Sequence, residues 1–102
     1  MHITPDSASY IFEDYYTSIL ELIQALCFMG GFNVNNHICL GFYLRDVLNK
    51  KELFQKFDDL RYKRNSLVYH GQLMDFEIAK KAISDSKILK EGILMLIKNH
   101  WI

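Results

Sequence analysis

The chain has 102 residues, half of them hydrophobic and 24% charged, with one proline and five glycines. That is enough to close one core over residues 1–102 and too little for a second, and it excludes a disordered or low-complexity segment. Twelve Lys and Arg balance twelve Asp and Glu, yet no basic residue precedes Arg45, whereas Asp6, Glu13, Asp14 and Glu21 do. An acidic start meeting a basic remainder fits either the solvated faces of a helical bundle or a diffuse phosphate-attracting surface.

The opening MHITPDSAS lacks the basic start and following apolar run of a secretory signal. The longest apolar runs fall well short of the ~18 to 20 residues that span a bilayer. Cys27 and Cys39 have no CxxC partner and lie in apolar helical patterns, so both are expected as buried reduced thiols in a cytoplasmic protein.

The first helix is expected to begin after Thr4-Pro5-Asp6-Ser7, with either Thr4 or Ser7 as its cap, and to run to Gly30-Gly31. Phe12, Tyr15, Tyr16, Ile19, Leu22, Ile23 and Leu26 form its apolar stripe, with Glu13, Asp14 and Glu21 off it. A second helix follows a cap at Asn35 or Asn36, and its apolar residues are Ile38, Leu40, Phe42, Tyr43, Leu44, Val47 and Leu48. Asn49 with Lys50 and Lys51 closes it, the cations suiting a negative helix end.

In the third helix Leu53, Phe57, Leu60, Arg64 and Leu67 recur at spacings of 4, 3, 4 and 3, and Gly71 ends it. Asp75 can cap a fourth helix, with Met74 packing on Ala79 as a hydrophobic staple. Ala79, Ala82, Ser86, Leu89, Ile93 and Leu96 keep a seam through SDS at 84–86, so one long helix is expected there, with a break, and hence a fifth helix, as the second choice. The fold class is all-α, an up-and-down bundle of four or five helices.

Arg64 stands on an apolar face, where a cation serves a buried ion pair, an interface or an anion site. Asp58 and Asp59 lie six and five residues upstream of it, so neither is one turn away, which argues against a local pair, though another helix could supply a carboxylate. His70 stands at a helix end, where imidazolium is favoured and a side chain can leave the packed body.

RNSLVYHG at 64–71 resembles the signature of HEPN domains, small all-α modules in which an Arg and a polar residue, commonly Asn, precede a His by four to six residues near a helix end. YYTSILELIQALCFMGGFNVNNHICLGFYLRDV, from residue 15 to 47, is similar to the first two helices of that family, including the glycine turn and a His opening helix two. The resemblance implies a homodimer in which the motifs of both protomers face one cleft. It also implies a metal-independent endoribonuclease, of the kind found as toxins paired with a minimal nucleotidyltransferase antitoxin. An alternative within the family is a non-catalytic module that binds nucleotide, RNA or a nucleotidyltransferase partner.

On that resemblance Arg64 holds the scissile phosphate, His70 serves as general base or acid, and Asn65 orients Arg64 or the substrate. Tyr69 and Arg61 would stack on a base or contact phosphate, and His37 would shape the cleft. Five residues separate Arg64 from His70, one more than the commonest spacing, at which Tyr69 stands. Gln72 occupies the place of a tyrosine found in toxin members, so control through modification of that tyrosine is not expected. His2 and His100 lie at the ends of the sequence without ligand spacing to other donors; neither metal nor cofactor is expected.

Overall fold

The computed structural model describes residues 7–70 and 75–100 and, within them, all side chains but those of 66–70 and 100. They form α1 (Ala8–Met29), α2 (His37–Phe42) prolonged by a π-helical turn (Tyr43–Val47), α3 (Lys51–His70) and α4 (Phe76–His100). No strand occurs among the described residues.

The core follows from helical periodicity. Phe12, Tyr16, Ile19, Ile23 and Leu26 of α1 are buried, as the three- and four-residue spacing demands. Along α4 the buried face is Ala79, Ala82, Ile83, Ser86, Leu89 and Ile93, and α1 packs chiefly against this helix. Ser86 is fully buried, and its hydroxyl donates to the Ala82 carbonyl at 2.7 Å, one turn back. A polar residue can therefore face the core without breaking the helix, and α4 runs unbroken through 84–86.

Local signals place the ends. Gly31 adopts φ +90°, a left-handed conformation that glycine reaches without strain, just after α1. Asn36 caps α2 by accepting from the amides of Ile38 at 2.9 Å and Cys39 at 3.3 Å. Asn49 takes the left-handed region at φ 56° where the chain leaves the π-helical turn. Asp75 caps α4 through the amides of Glu77 at 3.0 Å and Ile78 at 3.3 Å. The alternative start at Thr4, the stop at Gly71 and the Met74 staple lie outside the described residues.

Helix two departs from expectation. Its second half is a π-helical turn in which the Leu48 amide reaches back five residues to the Tyr43 carbonyl at 3.1 Å. The widened turn changes the phase of the helix, so Tyr43 and Leu44 are buried while Val47 is 51% exposed. Ile38 and Phe42, at 48% and 41% exposure, also face outward, and Cys39 is exposed while Cys27 is buried. The expectation of two buried thiols is thus corrected. In short α2 the buried residues are Leu40 and Gly41.

Leu89→Ala should lower stability by about 2 to 5 kcal/mol, since its side chain is fully buried. Asp75→Ala should cost about 1 kcal/mol through loss of the cap. Urea unfolding followed by circular dichroism measures both; near-equal losses would contradict this division between core and cap.

Candidate functional site

Tyr16 holds the site together. Its ring is 1% exposed and stacks on Phe57 of α3, with centroids 6.0 Å apart and planes 4° from parallel. Its hydroxyl lies 3.3 Å from Nδ1 of His37, the first residue of α2. Burial pushes the phenol up to about 12, with Arg64 and Arg61 opposing weakly, so the hydroxyl keeps its proton. No other acceptor for it occurs among the described residues, and a buried O–H must donate, so it donates to Nδ1. The imidazole proton is then on Nε2.

Burial also lowers the His37 pKa below 6.5, and the charges of Arg64 and Arg61 lower it further. His37 is therefore a neutral imidazole of fixed tautomer beside two guanidinium groups.

Arg64 finds the carboxylate that its own helix does not supply. Its Nε donates to Oε1 of Glu13, on α1, at 3.1 Å, and its Cζ lies 5.8 Å from the Tyr16 ring centre. The two side chains keep 29% and 39% of their exposure, so this is a partly open pair. Glu13 engages only Nε, which leaves the Nη nitrogens as a fork for a further oxygen acceptor. The pairing of Glu13 with Arg64 and the contact of Tyr16 with Phe57 set α3 antiparallel to α1.

The aspartates upstream serve other partners. Asp58 accepts from Arg61 at 2.9 Å, and Asp59 meets Lys63 at 2.9 Å. Asn65 is half-buried beside Arg64. The helix continues to His70, which sets that residue ~9 Å beyond Arg64 along the axis at 1.5 Å per residue. The side chains of Tyr69 and His70 lie outside the described residues.

The structure thus brings together Arg64, Arg61 and His37 from the expected set and adds Glu13 and Tyr16. Tyr16 had been legible only as a core ring and Glu13 only as a residue off the stripe. Their spacing of three along one helix was the available signal, since it sets both beside the same neighbour. Among the described residues no cluster of His, Cys, Asp or Glu could hold a metal ion, and no helix is long and apolar enough to cross a membrane.

No family model, curated protein or solved structure matches the chain.

A histidine whose pKa is lowered on folding takes its proton first in the unfolded chain. Its contribution to stability is present above pH 6.5 and is lost as pH falls through the lowered value. His37→Gln should therefore lessen the fall in stability from pH 7.5 to pH 5, measured by urea unfolding; identical slopes in both proteins would show that His37 titrates normally.

Proposed function

We propose that the chain is a HEPN-type, metal-independent endoribonuclease that acts as a homodimer, the toxin of a pair whose antitoxin is a minimal nucleotidyltransferase. The observation that carries this reading is the Arg64 guanidinium. It is held through Nε, has its Nη fork unengaged by Glu13, and lies in one cluster with a neutral imidazole and a second arginine. The five residues between it and His70 lie within the range of the HEPN motif.

In this mechanism the Nη fork of Arg64 binds the non-bridging oxygens of the scissile phosphate and offsets their growing charge. One His70 removes the ribose 2'-hydroxyl proton as the 2'-oxygen bonds to phosphorus. The bond from phosphorus to the 5'-oxygen breaks, and that oxygen takes a proton from the imidazolium of the other His70 in the dimer. The products are a 2',3'-cyclic phosphate and a 5'-hydroxyl. Asn65 orients Arg64 or the substrate. Arg61, already paired with Asp58, adds positive potential, while Tyr69 stacks on a base and His37 walls the cleft beside the phosphate.

Exposed apolar residues favour the dimer. Ile38 and Phe42 stand one turn apart on the outer side of α2, next to His37, and Phe28 and Phe32 flank the turn before it at 76% and 50% exposure. A second protomer covering α2 would bring two Arg64 clusters toward one another. A cytoplasmic location, with both thiols reduced, fits an RNA substrate.

The test is cleavage of single-stranded RNA by the purified protein in EDTA. Activity should vanish with Arg64→Ala and with His70→Ala, and the cyclic phosphate should be the product; full activity in both variants would sink the assignment. Because the Glu13 pair is partly open, Arg64→Ala should cost only about 1 kcal/mol of stability, which leaves a folded variant to assay.

Glu13→Ala should slow cleavage about 10- to 100-fold through a misplaced guanidinium, with RNA binding little changed. If binding falls as steeply as turnover, Glu13 does not act by positioning.

The same Glu13 contact favours a second reading, in which Arg64 is chiefly structural and the module binds nucleotide, RNA or a nucleotidyltransferase without cutting. Tight RNA binding with no cleavage product under any divalent or metal-free condition would decide for it.

A further inference from the structure

A groove of about 540 Å³ lies between the start of α3 and the second half of α4. Along α3 its Leu53 is ~17 Å from Arg64, so it is separate from the Tyr16 cluster. Leu53, Ile88 and Gly92 give it an apolar floor, and Lys50, Lys51 and Lys56 line it with positive charge, against which Glu52 is the single carboxylate.

The lysines have no structural task that accounts for them. Among the described residues the ion pairs join Arg45 to Asp46, Arg61 to Asp58, Lys63 to Asp59, Arg64 to Glu13 and Lys80 to Glu77, and none includes a groove lysine. Nor does a side-chain hydrogen bond tie them to the preceding turn among the described residues, where backbone amides reach two of its carbonyls, from Leu48 to Tyr43 at 3.1 Å and from Lys50 to Leu44 at 2.8 Å. Like charges gathered at the opening of a helix repel one another, and the helix dipole there adds potential of the same sign.

The floor adds apolar surface beside these charges. Ile88 is 53% exposed, leaving apolar area in water. Gly92 lets α4 pass close against α3, since a Cβ there would lie 2.9 Å from Cδ2 of Leu53. Three lysines less one glutamate leave two positive charges, which matches a phosphate monoester close to its dianionic form at pH 7.

We propose that this groove binds a small organic phosphate, with the phosphate on Lys50, Lys51 and Lys56 and a flat apolar group against Leu53, Ile88 and Gly92. Lysine ammonium groups act as point charges that a phosphate can meet from several directions, and the volume falls within the range of small-molecule sites. The site does not depend on RNA cleavage, and its ligand can occupy it whether or not the chain is a nuclease.

The experiment is an amide NMR titration of the full chain with 1-naphthyl phosphate, inorganic phosphate and 1-naphthol as separate probes. Naphthyl phosphate should shift the amides of Leu53, Lys56 and Gly92 saturably, and each of the other two should bind at least about tenfold more weakly. Replacing Lys51 and Lys56 together by Ala should weaken the naphthyl phosphate about tenfold or more without lowering the melting temperature. Ile88→Asp should weaken it as well. Absence of saturable shifts at these amides, equal binding of naphthol, or affinity unchanged in the lysine variant would each overturn the assignment. RNA cleavage in EDTA, assayed separately on the lysine variant, should be retained.

Discussion

The arrangement depends on one buried tyrosine that belongs to three helices at once. Tyr16 rises from α1, lays its ring on Phe57 of α3 and donates a hydrogen bond to His37 at the start of α2. Each contact constrains the others. The stack places the hydroxyl where α2 begins, and the raised phenol pKa keeps that hydroxyl a donor, which in turn selects the imidazole tautomer. Arg64 then lies near the ring while its Nε is held by the Glu13 carboxylate. Short α2 could not hold such an imidazole by itself, since an isolated helix of its length is not stable in water.

Much of this was legible in the chain because long helices write their burial into their spacing. The stripes of α1 and α4 emerged largely as read, with Tyr15, Leu22 and Leu96 only partly covered at the edges and Ile83 buried in addition. The caps at Asn36 and Asp75 were visible because a short polar side chain before an apolar run has one local use. The all-helical architecture follows from those local rules and is shared by many unrelated bundles. It therefore does not by itself identify a HEPN fold.

What stayed hidden was non-local or lacked a period. Glu13 and Arg64 are 51 residues apart, and nothing in their neighbourhoods links them. Spacing argued against Asp58 and Asp59 as partners of Arg64, and these residues instead take Arg61 and Lys63. The π-helical turn inserts an extra residue into one turn only, too short a stretch to show as periodicity. The outward aspect of Ile38, Phe42 and Cys39 escaped for a different reason. Apolar character indicates that a residue prefers cover, and in this chain the bundle leaves one side of α2 uncovered. The charge asymmetry also gains a meaning, because a carboxylate of the acidic first helix holds a cation of the basic third one.

The unequal burial of the two thiols has a practical side. Cys27 lies in the core, where burial pushes its pKa up to about 11, so at neutral pH it holds almost no thiolate and meets no reagent. Cys39 is exposed on α2, two positions from His37. The natural chain therefore offers one accessible attachment point for a maleimide dye or spin label, on the side of the bundle where Ile38 and Phe42 stand uncovered. The rate at which Cys39 is alkylated becomes a direct gauge of whether that side is open to solvent or occupied, with Cys27 a silent internal control for intact folding.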